Sequence, residues 1–579
     1  MIILYKENKI FISTIVDTIA GERFSLKLLN NYIGEKGMIT NTIGEILEKT
    51  TKQYPNNEAL VYPGKLRLSY EQFNDYVDKL SKALITLGIH KGDHIAIWAN
   101  NVPEWVILQF ASAKIGAILV TINTYYKSRE LSYLLKHADI TTLFFINGFK
   151  DVNYLKTIQS ILDPTTDHHP NFPLLKNLIF IGDNPPQNIM TFNQLLNYHT
   201  QTNDDTLLQR QQILDTHDVI NMQYTSGTTG HPKGVMLTHY NILNNAKSVG
   251  KNLNLNHLDR MCIPVPFFHC FGCVLSTLNC VLHGATMIPL ETYDAETVLQ
   301  TIHNERCTIL QGVPTMFINE LHHPKFKHYN LSSLRTGIMA GAQCPEEIMR
   351  QVMTQMHMHD ITICYGLTET APVLTQTDRN DSLEKRVQTV GKPIQNVEIQ
   401  IINPLTGQIQ PPNTPGELIA HGYNIMKGYY KMPDETNQTI KDGWIRTKDL
   451  AMKDEDGYIR ILGRIDDMII RGGENVYPRE IEEFLYTNDK VKEVAVVGVP
   501  SATYGEEVFA FIQLKDGITA VADEIKDYCK DKISRFKIPK YIEFVDTYPM
   551  TASGKIQKYR LRELAQEQLN TNHKPRIYQ

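Results

Sequence analysis

The order of apolar and polar positions divides the chain into alternating strands and helices. Ser69-Tyr-Glu-Gln72 carries the signature of a capping box, and Phe73, Val77, Leu80, Leu84 and Leu87 then share one helical face until Gly88 ends it. Apolar runs over 94–99, 117–122 and 142–146 read as strands, with helices over 103–116 and 128–137 between them. Strands alternating with helices of this length predict βαβ units and a parallel sheet. The stretch 163–186, rich in Pro, Asp, His and Asn, predicts an irregular surface excursion. Buried strands are expected again over 219–224, 261–265, 285–290, 307–313, 336–340 and 361–365.

From 397 the pattern changes to short runs separated by turns (397–402, 416–421, 458–462), which predicts an antiparallel subdomain over about 390–465. A compact α+β unit follows, with helices over 478–486 and 521–533 and strands over 493–499, 508–514 and 541–545. The expected fold is therefore α/β. A large N-terminal domain of parallel-rich sheets layered with helices spans 39–465, and a small C-terminal domain spans 466–579. Residues 1–38 form an extension, and Met38 stands just before the opening of the first domain.

Charge and cysteine content narrow the function classes. The 58 basic and 63 acidic residues give a net charge of −5, which offers no bulk attraction to nucleic acid or anionic lipid. Eight cysteines in 579 residues are too few for a disulfide framework. Cys270 and Cys273 have C-x-x-C spacing but lack the second pair that a zinc site wants, so they read as buried thiols in a reducing compartment. No transmembrane segment is expected, because Gln109, Ser112 and Lys114 interrupt the longest apolar stretch. Lys6, Glu7 and Lys9 break the apolar opening before a secretory core forms, and Glu22 and Glu35 argue against a mitochondrial presequence. A cytoplasmic protein is expected.

Candidate chemistry begins at Tyr224-Thr-Ser-Gly-Thr-Thr-Gly-His-Pro-Lys-Gly234, directly after an apolar strand. Its hydroxyls and glycines form a loop whose backbone amides can approach an anion, and Lys233 adds charge. Pro232 stands where a Walker loop needs its second glycine, so this is a phosphate loop of another kind. In Tyr365-Gly-Leu-Thr-Glu-Thr370, a carboxylate beside hydroxyls at a strand end suits a magnesium bridging phosphates, and the aromatic suits a base. Asp449 can accept from ribose hydroxyls, Arg464 is a permanent cation, and Lys555 sits in the tight loop Pro549-Met-Thr-Ala-Ser-Gly-Lys555.

Those segments, with Arg464-Ile-Asp-Asp-Met-Ile-Ile-Arg-Gly-Gly-Glu-Asn-Val-Tyr-Pro478, stand in the order seen in the adenylate-forming enzymes. That superfamily includes acyl-CoA synthetases, luciferases and the adenylation domains of peptide synthetases. The resemblance covers about residues 39–570 and most resembles the medium-chain acyl-CoA synthetase branch. It implies ATP, CoA and Mg²⁺ as cofactors, a carboxylic acid such as a fatty acid as the small-molecule partner, and no nucleic acid.

It also implies roles. Thr225, Ser226, Gly227, Thr228, Thr229, Gly230, His231, Pro232 and Lys233 would hold the β- and γ-phosphates. Gly341, Ala342 and Gln343 would line the adenine, with Tyr365 and Gly366 beside it. Thr368 would touch the α-phosphate, Glu369 the magnesium, and Asp449 with Arg464 the ribose. Asp466 would be the hinge of a mobile C-terminal domain, and Lys555 would complete the adenylating site. His269 would gate the acyl carboxylate, and Gly472 and Gly473 would border the pantetheine tunnel.

An enzyme that joins a fatty or aromatic acid to CoA through an acyl-adenylate is therefore expected. The alternative is a fatty acyl-AMP ligase, or another adenylating enzyme, that serves a different acceptor. Amino-acid activators of this superfamily hold the substrate amine with an Asp in the segment that here reads Phe267-Phe268-His269-Cys270, where no acid occurs. Other polar clusters are assigned no chemistry. His357 and His359 beside Asp360 read as a helix-to-strand junction, His168-His169 and His322-His323 as solvated loops, and Glu482-Glu483 as an exposed helix face.

Overall fold

A computed structural model describes residues 37–163, 169–225, 232–342, 344–530, 532–551 and 555–570. The expectations placed on 1–36, on His168, on Ser226, Gly227, Thr228, Thr229, Gly230 and His231, and on Gln343 lie outside the described residues. The chain divides into Met1–Thr40, described only from residue 37, and the compact unit Asn41–Gln579.

Two large sheets form the heart of the second unit. In the first, Asp360–Gly366, Thr336–Ala340, Ile309–Gly312, Arg260–Ile263, Thr286–Pro289 and Glu58–Tyr62 lie side by side and parallel. Thr336–Ala340 is buried along its whole length, as a strand covered on both faces must be. In the second, Val219–Thr225, Ile118–Thr121, His94–Trp98, Ile140–Phe145 and Asn177–Phe180 are parallel neighbours, and Lys233–Thr238 adds an antiparallel strand beside Val219–Thr225.

Helices fill the space around these sheets. Ser69 caps the helix Tyr70–Thr86 through the expected capping box, and Phe73, Val77, Leu80 and Leu84 are fully buried. The Lys114 side chain has no exposed surface and meets Glu48 at 3.0 Å and Asp78 at 2.5 Å, so it ties three helices together. Removing one partner of so deeply buried a group costs about 3–5 kcal/mol.

Beyond residue 390, Val397–Ile402, Gly416–Gly422, Trp444–Lys453 and Ile459–Arg464 build an antiparallel sheet. After the turn Ile465–Asp467 the chain starts a further sheet from Ile469–Arg471, Glu474–Val476, Val491–Ser501, Gly505–Leu514 and Tyr541–Phe544. Among the described residues no helix is long and apolar enough to cross a membrane.

Four local expectations need correction. Asn177–Phe180 is a strand inside the stretch read as irregular, where polar neighbours masked a run of only 4 residues. The helix expected over 521–533 ends as Ala522–Cys529, and Ile533 reaches the core from an ensuing turn, donating its N–H to the Cys529 carbonyl at 3.2 Å. Glu482 is buried, accepting from the Val496 N–H at 2.7 Å and pairing with Lys558 at 2.6 Å, whereas Glu483 is exposed. His169 is also buried.

Candidate active site

The parallel strands of the first sheet deliver their carboxyl ends to one place, the usual position for a ligand on an open α/β sheet. Four segments emerge there: 264–269 after Ile263, 313 onward after Gly312, 341–342 after Ala340, and 367–370 after Gly366. Gly366 is required by space, since a Cβ on it would stand 1.8 Å from the Pro372 carbonyl oxygen. Gly341 has φ +92°, the left-handed region, so the chain turns sharply off its strand there. Ala342 follows, exposed, and its carbonyl accepts from the Cys344 thiol at 3.6 Å.

His269 stands where the two large sheets meet. Asn101 clamps the segment before it, donating to the Val265 carbonyl at 3.0 Å and accepting from the Phe267 N–H at 2.9 Å. The Thr121 hydroxyl, at the end of its own strand, donates to the Phe268 carbonyl at 2.8 Å. Past His269 the chain enters a short helix and then a wholly buried π-helical stretch, Cys273–Leu278. Such π-turns recur at functional sites. Gln109 and Gln311 spend their amides on it. Gln109 Nε2 donates to the Cys273 carbonyl at 2.8 Å, and Gln311 Nε2 to the Leu275 carbonyl at 3.2 Å.

The candidate phosphate loop joins two antiparallel strands in which Thr225 pairs with Lys233. The helix Ser128–His137 holds both of its ends. His137 Nδ1 and the Tyr224 hydroxyl are hydrogen-bonded at 2.8 Å, and the Tyr133 hydroxyl donates to the Pro232 carbonyl at 3.2 Å. The Tyr430 N–H donates to the Gly234 carbonyl at 2.8 Å.

Thr368 and Glu369 lie on a 3-10 turn, Thr368–Thr370. The Met426 N–H fixes the backbone by donating to the Glu369 carbonyl at 2.9 Å, and the Tyr429 hydroxyl donates to Glu369 Oε1 at 2.9 Å. Among the described residues no cationic side chain is paired with this carboxylate. No group of three or more His, Cys, Asp or Glu side chains among them could hold a metal ion alone.

Asp449 and Arg464 are register partners on adjacent strands, and Arg464 Nε donates to Asp449 Oδ1 at 3.0 Å. The Tyr365 hydroxyl donates to Asp449 Oδ2 at 2.5 Å. Burial and the Asp449 carboxylate both hold the Tyr365 phenol in its protonated, donating form. Each carboxylate oxygen retains a lone pair for a further donor.

Lys555 joins this group from the far end of the chain. Its N–H donates to the Thr551 hydroxyl at 3.0 Å, closing a tight loop whose residues 552–554 lie outside those described. The residue is exposed over part of its surface. Even so, desolvation and the Arg464 guanidinium hold its pKa below the ordinary lysine value, against the pull of Asp449 and Glu369. Burial, with the charge of Lys555 adding to it, pushes the His269 imidazole down to about 4. Lys555 thus lies within electrostatic reach of His269, Arg464, Asp449 and Glu369, with its stem beside Gly341.

The remaining candidates lie elsewhere. Asp466 is an exposed residue of the turn Ile465–Asp467, whose Asp467 is paired with Arg562 at 2.7 Å. Gly472 and Gly473 form the exposed tip of the hairpin that joins Ile469–Arg471 to Glu474–Val476, and Gly472 faces Tyr504. Asn101, His137 and Tyr429 were not legible as site residues. Each acts through one or two hydrogen bonds from an element distant in the chain, which no local spacing marks.

Comparison with known proteins gives a consistent picture. Residues 47–430 match the model of the AMP-binding enzyme family, and residues 480–555 that of the AMP-binding enzyme C-terminal domain. The chain is 52% identical over 541 residues to YngI of Bacillus subtilis (strain 168), whose acyl-CoA synthetase name is provisional, covering 92% of this chain and 98% of that protein. It is 40% identical over 542 residues to the mitochondrial medium-chain acyl-CoA ligase ACSF2 of Bos taurus, covering 91% and 88% respectively. The crystal structure of the anthranilate CoA ligase AuaEII in complex with anthranoyl-AMP superimposes with a TM-score of 0.81 at 27% identity, covering 92% of this chain and 98% of that one.

Proposed function

The chain belongs to the AMP-binding enzyme family and is an adenylate-forming ligase, and from that premise we propose that it is an ATP-dependent fatty acyl-CoA synthetase acting on medium- to long-chain acids. In the first half-reaction a carboxylate oxygen attacks the α-phosphorus of ATP, forming acyl-AMP as the bond to pyrophosphate breaks. In the second, the CoA thiol attacks the acyl carbonyl carbon and AMP leaves with the electron pair of the broken C–O bond. A carboxylate is already a nucleophile, so the first step calls for alignment and charge stabilisation rather than a general base.

The observation that carries the reading is the position of Lys555, a C-terminal lysine held among His269, Glu369, Asp449 and Arg464. There it can meet the negative charge that builds on the α-phosphate, a contribution of about 3 kcal/mol for one such donor. Tyr365, Gly341 and Ala342 would take the adenine, Asp449 and Arg464 the ribose, Thr225 and Lys233 the β- and γ-phosphates, and Thr368 the α-phosphate. Mg²⁺ fits the donor set. One carboxylate, Glu369, with no paired cation among the described residues, is what a metal held mainly by substrate phosphates requires, and the metal would supply charge neutralisation there.

An apolar acid is supported by the segments around His269. Phe267, Phe268, Val313 and Phe317 are buried, and the amides of Gln109 and Gln311 are already bonded to backbone. The ligase ACSF2 is named for medium-chain acids. We read the turn at Asp466 as a hinge between an adenylating domain and a mobile C-terminal domain whose rotation would bring Gly472 and Gly473 to the site for CoA. Eight buried, unpaired cysteines support a reducing compartment, which we take to be the cytoplasm.

The test is pyrophosphate release across a panel of acids from two to eighteen carbons, with and without CoA. Release with medium or long chains, and thioester formation when CoA is present, is the expected result. Release without thioester would favour a ligase serving another acceptor. Absence of release with every acid would end the proposal.

A further inference from the structure

Tyr429 belongs to none of the motifs that point to nucleotide chemistry, yet it touches two residues assigned to the nucleotide. It lies on the short strand Gly428–Tyr429, which pairs with Lys233–Thr238 and places Tyr429 opposite Val235. Its backbone N–H donates to the Thr436 hydroxyl at 2.9 Å, and only 7% of its surface is exposed. The hydroxyl donates to Glu369 Oε1 at 2.9 Å, while Lys233 Nζ stands over the ring, 4.9 Å from its centroid.

The two contacts suit two different tasks. A carboxylate that takes a hard cation on one oxygen gains from a neutral donor on the other, since the donor fixes its rotamer without neutralising its charge. A lysine or arginine partner would compete with the metal, whereas a phenol does not. The phenol hydroxyl donates and the carboxylate oxygen accepts, so the contact fixes the carboxylate without adding a charge beside it. For Lys233 the ring supplies an electrostatic seat that consumes none of the ammonium N–H groups, leaving all three for phosphate oxygens.

We propose that Tyr429 is a positioning residue for magnesium–ATP, its hydroxyl aiming the Glu369 carboxylate at the metal and its ring face holding Lys233 at the β- and γ-phosphates. This rests on the reading that Glu369 takes the metal and Lys233 the phosphates. The two halves separate by substitution. Tyr429→Phe keeps the ring and the backbone bond to Thr436 but loses the hydroxyl. Tyr429→Leu loses both contacts.

The experiment is calorimetric titration of ATP into the full-length protein, with Mg²⁺ and with EDTA, beside Glu369→Gln and Lys233→Ala as references. Pyrophosphate release at graded Mg²⁺ gives a second readout, and melting curves report the fold. In Tyr429→Phe, the factor by which Mg²⁺ tightens ATP binding should fall about fivefold while binding in EDTA is unchanged. In Tyr429→Leu, binding in EDTA should weaken by a further threefold or so. If Glu369→Gln loses the Mg²⁺ effect but Tyr429→Phe retains it in full, the role of the hydroxyl is overturned alone. If Lys233→Ala weakens binding in EDTA but Tyr429→Leu does not, the role of the ring is overturned. If Glu369→Gln and Lys233→Ala both bind as the parent does, the underlying assignment falls and the proposal falls with it. A loss of fold in Tyr429→Leu leaves the Tyr429→Phe comparison to decide.

Discussion

The stem of Lys555 lies against Gly341, so that a Cβ built on the glycine would stand 3.6 Å from Lys555 Cε. The loop that carries Lys555 follows the last sheet of the chain, while Gly341 directly follows a central strand of the first large sheet. On the proposed reading, this approach would bring the ammonium to the α-phosphate and set it in the path that CoA must later use. Lys555→Ala should therefore slow adenylation by about 100- to 1,000-fold. Thioester formation from supplied acyl-AMP should stay within a few-fold of the parent. Each half-reaction is assayed alone, the first by pyrophosphate release and the second by AMP release. Equal loss in both, with an unchanged circular dichroism spectrum, would remove the case for domain alternation.

Asp449 and its two partners invite a different substitution. Asp449→Asn keeps the shape but removes the charge that faces Arg464, and it replaces an acceptor for Tyr365 with an amide. The KM for ATP should rise tenfold or more while the KM for the acid changes little. Because the carboxylate is 8% exposed, the melting temperature should also fall, in line with about 1–3 kcal/mol for an unsatisfied buried group. A larger rise in the KM for the acid would place Asp449 on the wrong side of the cleft.

These residues show which parts of the molecule could be read in the chain. The strand at 336–340 was legible to the residue, because a parallel strand covered on both faces is apolar without interruption. The capping box at Ser69 was legible because two hydrogen bonds fix its spacing. Trp444–Lys453, which pairs with three other strands of the antiparallel sheet, was visible only as the bearer of Asp449. Its alternation of Ile445, Thr447 and Asp449 inward against Arg446 and Lys448 outward places a charged residue in the buried series, which hides the strand. The candidate site was legible where loops carry the chemistry in short runs. It was not legible where support arrives from afar, as with Asn101 beneath Phe267 and Tyr429 beside Glu369.

His269 should act as a neutral group. With its pKa pushed down to about 4, it carries no proton above about pH 5, so acid binding should show no inflection near 6.5. His269→Ala should raise the KM for the acid about tenfold and leave ATP affinity unchanged, as measured by titration with each ligand separately. Stability adds a second check. Between pH 6.5 and 4 the unfolded imidazole binds a proton that the folded one refuses, so stability is intact above 6.5 and is lost as pH falls toward 4, at up to about 1.4 kcal/mol per pH unit. Removing the imidazole should flatten the decline of melting temperature across that window. An unchanged slope would mean that His269 is solvated and charged at low pH.

Glu320 reverses that sign. It lies on the helix Pro314–Leu321 with 1% of its surface exposed, and neither carboxylate oxygen has a hydrogen-bond partner among the described residues. Burial therefore pushes its pKa well above 4.5, and the folded protein keeps a proton that the unfolded chain has released. Below about pH 4.5 both states are protonated and the group costs nothing by linkage. As pH rises from there toward the folded pKa, the unfolded state is favoured by up to about 1.4 kcal/mol per unit. Glu320→Gln has the same shape and no acidic proton, so its penalty is independent of pH. The melting temperature of Glu320→Gln minus that of the parent should thus be smallest near pH 4.5 and grow as pH rises from there. A difference in melting temperature that stays constant from pH 5 to pH 8 would show that the carboxyl has found a partner and is not held neutral.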